Sequence, residues 1–275
     1  MGRCALVAFY EKLINLQGLL MSEGALMSYQ LTGDLGVNSE VGVILPTYCE
    51  AENISKLIIQ IENLPLNASI LVIDDSSPDE TAEIVKKLQA KYGNILLCIR
   101  PEKSGLGTAI TDGFKIFLSL KTSPRFVITM DADYSHNPKA ILQLLSSMQC
   151  GCGIAIGSRY CRGGGTVGWP FTRKIISRTA NTVAKSVVGF KLNDCTNGFR
   201  CYSTGFLKQA IGSLHSETYE IQIETIKQAL LRGFDIKEVP ILFVNRKQGK
   251  SKLTLVEVQS YISYILKTAA YGRGK

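Results

Sequence analysis

Five unbroken apolar runs, separated by stretches with helical periodicity, constrain this chain more than any other feature. They lie at 41–45, 70–73, 95–99, 126–130 and 154–156. Short runs without alternation belong to strands buried on both faces, as in a parallel sheet covered by helices. Between the first two, Ile54, Leu57, Ile58 and Ile61 fall at i, i+3, i+4 and i+7. Ser77-Pro78-Asp79-Glu80 has the form of a capping box with proline at the first helical position, ahead of Thr81, Val85, Leu88 and Tyr92 on one face. Asn137-Pro138 marks another helix start. The alternation predicts an α/β fold with a doubly wound, mostly parallel sheet, which binds ligands at the carboxyl ends of its strands.

Those ends carry the polar chemistry. The first run leads into Pro46-Thr47-Tyr48-Cys49-Glu50, the second into Asp74-Asp75, and the fourth into Asp131-Ala132-Asp133. One aspartate there is well explained as a cap or turn former, but three acidic strand ends on the ligand edge point to a site. Asp131 and Asp133 can share a hard divalent cation, Mg2+ or Mn2+, and leave positions for water and diphosphate oxygens.

The charge balance points the same way. Of 275 residues, 31 are Lys or Arg and 23 are Asp or Glu, a net charge of +8. Between Tyr134 and Asn193 there is no acid, while Lys139, Arg159, Arg162, Arg173, Lys174, Arg178, Lys185 and Lys191 hold the whole surplus. Guanidinium groups bind phosphate bidentately, so carboxylates with a metal on one side and arginines on the other suggest two phosphate-bearing ligands. For Arg162, Lys174 and Lys185 a solvated basic face is the competing explanation. Gly163-Gly164-Gly165 with Gly168-Trp169 reads equally as a lid or as a turn with the only tryptophan in the core. Gly249-Lys250-Ser251 imitates the end of a P-loop, but Val244 stands where its first glycine belongs. Gly105-Leu106-Gly107 imitates a dinucleotide fingerprint, with Ile110 in place of the third glycine.

The expected division is an N-terminal extension over 1–40, poorly ordered, a catalytic domain over 41–252, and an amphipathic helix with tail over 253–275. No stretch reaches the roughly 18 to 20 apolar residues that span a bilayer, and the apolar run at 4–9 is too short for a signal-peptide core. Eight cysteines without a C-x-x-C pair, and two histidines, read as reduced thiols of a cytosolic protein. Leu255, Val258, Ile262, Ile265 and Leu266 form an apolar stripe that suits a membrane interface, a small membrane subunit or packing on the chain's own domain.

Seven blocks in order carry a family resemblance: LPTYCE at 45–50, IDDSSPD at 73–79, GLGTA at 105–109, DADYSHNP at 131–138, GSRY at 157–160, RKIISR at 173–178 and DCTNGFR at 194–200. From Val41 to about Lys252 the chain resembles the family 2 glycosyltransferases of glycosyltransferase-A fold. Within them it is similar to the polyprenyl-phosphate sugar synthases of dolichol-phosphate mannose synthase type, in the form whose catalytic subunit lacks membrane helices.

The resemblance implies that Pro46, Tyr48, Glu50, Ile73 and Asp75 hold the nucleoside, and that Asp131, Ala132 and Asp133 bind the diphosphate and its metal. It implies that Arg246 and Lys252 close over the donor, and that Arg159, Arg173 and Ser177 receive the lipid phosphate, with Asp133, Arg159 and Arg173 as the catalytic groups. The implied partners are GDP-mannose, a dolichyl or polyprenyl phosphate and a small membrane-anchoring subunit, on the cytosolic face of a membrane. Two departures stand out: Cys49 replaces the usual Asn, and Asn197 stands where Gly is common. The alternatives are another donor such as UDP-glucose, a hydroxyl acceptor, or, from another class, a basic nucleic-acid-binding module. Acidic strand ends would repel a nucleic acid backbone, and no nucleic-acid partner is expected.

Overall fold

The computed structural model describes residues 29–245, apart from 37, 149–150 and 190, and gives only the backbone of 186–188. The strands among them are β1 Gln30–Gly33, β2 Val41–Thr47, β3 Ala68–Asp74, β4 Ile95–Ile99, β5 Phe126–Thr129, β6 Cys152–Ser158, β7 Gly165–Val167, β8 Arg200–Ser203, β9 Asp235–Pro240 and β10 Leu242–Val244. The helices are α1 Ala51–Glu62, α2 Thr81–Gln89, α3 Leu106–Ser119, α4 Ala140–Ser147, α5 Phe171–Val188, α6 Thr204–Ala210 and α7 Ile221–Leu231.

Eight strands form one sheet in the order β1-β4-β3-β2-β5-β8-β6-β9, and β7 pairs with β10 in a small parallel ribbon. The five expected runs are β2 to β6. They pair in parallel except where β8, antiparallel to both neighbours, is inserted between β5 and β6. β1 pairs antiparallel with β4, so residues 30–33 extend the sheet beyond the boundary expected at residue 41. Successive residues of β2 face opposite cores: Val43 and Leu45 belong to one with Ile54 and Leu57 of α1, and Ile44 to the other with Phe114 of α3. Arg246, Lys252 and the stripe at 253–271 lie outside the described residues.

The capping box expected at Ser77 and Glu80 does not form. Helix α2 starts at Thr81, whose N–H and Oγ1 donate to Asp79 Oδ1 at 3.0 and 2.5 Å. Ser77 is taken up by the site loops. Its Oγ donates to Asp74 Oδ1 at 2.6 Å and accepts from Cys49 N at 2.9 Å, which ties the end of β3 to the end of β2.

Helix α3 lies against β2 through reciprocal small residues. A Cβ on Gly42 would come within 2.6 Å of the buried Phe117 ring, and one on Gly113 within 2.7 Å of Ile44. The sheet therefore accepts α3 only at glycine distance. Gly42→Ala is expected to destabilise the protein by about 1–3 kcal/mol through overpacking, as read by urea unfolding. A neutral or stabilising result would mean that Phe117 moves aside freely.

Candidate active site

The carboxyl ends of β2, β3 and β5 open on one cavity, and the expected donor-side residues Pro46, Tyr48, Glu50, Ile73, Asp75, Asp131, Ala132 and Asp133 all line it. Each loop leaving these strands holds one non-glycine residue in the left-handed region: Cys49 at φ 56°, Ser76 at 49° and Tyr134 at 61°. This turns the chain sharply just after Tyr48, Asp75 and Asp133, whose side chains line the cavity. Asn is several-fold more at home there than Cys, so the Asn that the family resemblance implies at position 49 would have a conformational reason. Cys49→Asn is expected to raise the melting temperature with the cavity intact; a lower value would show that the Cys49 side chain has a packing role that outweighs its backbone strain.

Asp74 and Asp75 divide their work. Asp74 holds the loops through Thr47 Oγ1 (2.8 Å) and the Ser77 N–H (2.8 Å). Asp75 faces the cavity and is held by Arg100, which is 1% exposed and donates from Nε at 2.6 Å. Burial pushes the Asp75 carboxyl above its ordinary value, and Arg100 pulls against it. Arg100 also reaches Thr108 Oγ1 (2.7 Å) and the Gly105 carbonyl (2.8 Å), which joins the start of α3 to the site. The glycines of Gly105-Leu106-Gly107 serve close approach rather than a dinucleotide: a Cβ on Gly107 would sit 2.3 Å from the Ser216 carbonyl oxygen.

Lys103 and Tyr219 also line the cavity and escaped sequence reasoning. Lys103 Nζ lies 4.8 Å from the centre of the Tyr48 ring. The GLGTA block that follows was the one available signal for this wall.

Asp131 and Asp133 bring two hard oxygen donors to the cavity wall, which fits a divalent cation completed by ligand oxygens. Among the described residues no group of three His, Cys, Asp or Glu is placed to hold a metal without such help. Asp133 is also fixed locally, its Oδ1 accepting from the Ser135 N–H at 3.0 Å. Behind Asp131, His136 is 1% exposed, with Nε2 at 3.4 Å from Oδ2. Its ring packs on Phe199 and Phe243, both at 5.0 Å.

Phe243 leads to the second cluster. Trp169 meets it edge-on at 5.1 Å, and the Arg159 and Arg173 guanidiniums lie 5.4 and 4.3 Å from the Trp169 ring. Trp169 is therefore a core residue beside two arginines, and 165–167 form strand β7. Tyr160 Oη donates to Ser177 Oγ at 2.8 Å, and Arg173 Nη1 donates to Asn245 Oδ1 at 2.9 Å. The structure thus brings Arg159, Arg173 and Ser177 into one neighbourhood, next to the carboxylates through His136 and Phe243.

Arg159 is not the open cation the acid-free segment suggests. It is 8% exposed and grips Asp194, the first acid after that segment, with Nε to Oδ2 at 2.7 Å and Nη2 to Oδ1 at 2.8 Å. Its own N–H donates to the same carboxylate at 3.0 Å, and Nη2 reaches Thr196 Oγ1 at 2.7 Å. Burial alone would raise the Asp194 pKa, but the Arg159 guanidinium and these donors hold it below the ordinary carboxylate range. Asn197, the other departure, donates to the Gly157 carbonyl and accepts from the Phe199 N–H at 3.3 Å.

Asp194→Ala is expected to cost about 3–5 kcal/mol in urea unfolding, because it strands a buried guanidinium. The folded pKa lies below the unfolded one, so the pair's contribution is complete above the ordinary carboxylate value of about 3.9 and disappears as pH falls through the depressed value. Asp194→Asn should abolish that acid-side loss. An unchanged acid profile would show that the pair does not set it.

Residues 42–210 match the family model "Glycosyl transferase family 2". The chain is 34% identical over 233 residues to the polyprenol monophosphomannose synthase of Mycolicibacterium smegmatis, covering 84% of this chain and 87% of that protein. It is 34% identical over 232 residues to the dolichol-phosphate mannosyltransferase of Pyrococcus furiosus, covering 82% of this chain and 62% of that one. Among solved structures, glucosyl-3-phosphoglycerate synthase from Mycobacterium tuberculosis, in complex with Mn2+, UDP and phosphoglyceric acid, superposes with a TM-score of 0.60 at 18% identity, over 84% of this chain and 79% of that one. This likeness establishes the glycosyltransferase-A fold. With the sequence matches, it makes this chain a member of glycosyl transferase family 2.

Proposed function

We propose that this protein transfers mannose from GDP-mannose to a polyprenyl phosphate such as dolichyl phosphate, with inversion at the anomeric carbon. The product is a lipid-linked sugar donor for glycosylation. The observation that carries this reading is the adjacency of two clusters: a cavity lined by Asp75, Asp131 and Asp133, and an arginine cluster beyond His136 and Phe243. The names of the two relatives support the choice of sugar and acceptor.

The donor's nucleoside lies along Pro46, Tyr48 and Ile73, with Glu50 and Asp75 as acceptors for its hydroxyl and N–H groups. Arg246 and Lys252 close over the diphosphate. Asp131 and Asp133 would hold Mg2+ or Mn2+, which would supply charge neutralisation at the diphosphate leaving group. Arg173 and Ser177 take the acceptor phosphate, with Arg159 held on Asp194 at its side. A phosphate oxygen attacks the anomeric carbon as the bond to the donor's β-phosphate oxygen breaks, and GDP leaves. The acceptor is already an anion, so positioning and charge stabilisation suffice and no strong general base is needed.

A hydroxyl acceptor would need such a base. The acid on the arginine side, Asp194, has both oxygens bound to Arg159, which disfavours that alternative. Among the described residues no helix is long and apolar enough to cross a membrane. In the proposed reading the protein meets its lipid at the membrane surface, on the cytosolic face, with a small membrane subunit as partner.

Transfer of labelled mannose from GDP-mannose into an organic-extractable product, with polyprenyl phosphate and with or without Mg2+ or Mn2+, tests the proposal, and UDP-glucose serves as the parallel donor. Metal-dependent label from GDP-mannose is expected, and Asp133→Ala should lower it by at least about 100-fold. Label from UDP-glucose alone would overturn the donor. More than a few percent residual activity in Asp133→Ala would overturn the metal role.

A further inference from the structure

The chain ahead of the first expected run reaches the donor cavity through a line of polar side chains. Strand β1 lies antiparallel to β4 with Gln30 beside Ile99 and Leu31 beside Cys98, so the register carries Tyr29 to the level of Arg100. The strand is fastened there. Gln89 of α2 donates from Nε2 to the Thr32 carbonyl at 2.7 Å, and the Asp34 N–H donates to the Ile95 carbonyl at 3.1 Å.

Tyr29 Oη donates to Asp112 Oδ2 at 3.2 Å, and the same oxygen accepts from Arg100 Nη1 at 3.4 Å. On its other side Arg100 donates from Nε to Asp75 Oδ1 at 2.6 Å, and Asp75 lines the cavity. Three links therefore join the strand end to the site: phenol to carboxylate, carboxylate to guanidinium, and guanidinium to carboxylate. The side chains of Arg100, Asp75 and Asp112 are 1, 9 and 13% exposed, so water screens these charges little. Two carboxylates thus compete for one buried guanidinium. Its contact with Asp75 is short, and its contact with Asp112 is long, at the oxygen that the Tyr29 hydroxyl also occupies. Burial pushes the Asp112 carboxyl up, against the pull of Arg100 and of the Tyr29 hydrogen bond. Burial and the Asp112 charge both push the Tyr29 phenol up, so it stays a donor at neutral pH.

We infer that Tyr29 is a positioning residue for the nucleoside end of the cavity. Its hydroxyl holds Asp112, which leaves Arg100 bound to Asp75, and Arg100 fixes the Asp75 carboxylate as an acceptor for a hydroxyl or N–H of a nucleoside diphosphate. Without the phenol, Asp112 turns its freed oxygen on Arg100 and draws the guanidinium away from Asp75. The inference rests on the proposed role of Asp75. It adds that the donor site begins upstream of residue 41, at a strand end whose place on β4 sets nucleotide affinity.

Nucleotide binding tests this without turnover and without lipid. Calorimetric titration of the full-length protein with GDP, and with UDP in parallel, takes Asp75→Asn as its reference, which should weaken binding by about tenfold or more. Tyr29→Phe keeps the ring and removes only the hydroxyl, and it should weaken binding by about threefold to fivefold. Asp112→Asn should do the same, and the double variant should lose no more than the worse single one, because members of one network do not add. In transfer assays Tyr29→Phe should raise KM for the donor by the same factor, while kcat and KM for polyprenyl phosphate change by less than about twofold. A merely structural role would instead lower the amount of folded protein, and with it kcat, at unchanged KM. Should Asp112→Asn fail to fold, Tyr29→Phe against Asp75→Asn decides by itself. Unchanged affinity in Tyr29→Phe, with Asp75→Asn impaired, would overturn this inference alone, as would additive losses in the double variant. Unchanged affinity in Asp75→Asn, or no binding of either nucleotide to the unaltered protein, would overturn the nucleoside reading of Asp75 and this inference with it.

Discussion

Three guanidinium groups, those of Arg100, Arg159 and Arg200, are buried at the carboxyl edge of the sheet, at 1, 8 and 0% exposure. Taking such a charge out of water is costly unless each donor finds a partner, and the partners found here build the site. Arg100 joins Asp75 to the start of α3. Arg159 joins the end of β6 to Asp194. Arg200 spends its donors on backbone oxygens, those of Asn197 at 2.7 Å, Gln222 at 2.7 Å and Cys195 at 2.8 Å, and so pins the 194–199 loop to α7. Loops that carry catalytic side chains are ordinarily the mobile part of a fold. Here they are fastened by charges that have nowhere else to go.

The same edge carries the backbone strain. Cys49, Ser76 and Tyr134 each follow a strand end and each takes the left-handed region at some cost. Side-chain bonds hold two of them: Cys49 N–H donates to Ser77 Oγ, and Ser76 Oγ donates to the Arg100 carbonyl at 2.5 Å. The turns let Tyr48, Asp75 and Asp133 line one cavity from three separate strands. Strain in the loops and burial of the arginines are two sides of one constraint, that a parallel sheet presents its ligand side chains from turns.

What the sequence made legible follows from how local each signal is. Strands β2 to β6 are apolar on both faces and announce themselves as runs, and the donor cavity follows because its residues stand directly after those runs. Strand β9, Asp235–Pro240, was not foreseen: Asp235, Lys237 and Glu238 give it the pattern of an exposed edge. Strand β8 is four residues long, begins with a buried arginine, and enters the sheet antiparallel, which no local pattern specifies. The helix cap at Ser77 failed because Asp74, three residues earlier, competes for the same hydroxyl. Arg159 was legible as a buried strand-end cation, but its partner Asp194 is 35 residues away in the chain. Arg100 stands directly after the run of β4, on the ligand edge, but a lone arginine there does not announce its partner Asp75, 25 residues earlier, and Lys103 lies in the loop before α3 without any pattern of its own.

The acid-free segment from Tyr134 to Asn193 was first a single observation, and the fold divides it in two. Arg159 and Arg173 turn inward, where Trp169 and Phe243 flank them and Asp194 and Asn245 fix them. Lys174 and Arg178 turn outward on the same helix, beside exposed isoleucines. In the proposed reaction an acid on the inner side would compete with a phosphate for Arg159 and Arg173. Asp194 does not, because it is fully buried and bonded to Arg159 through both oxygens, so it orients that cation without presenting a free charge.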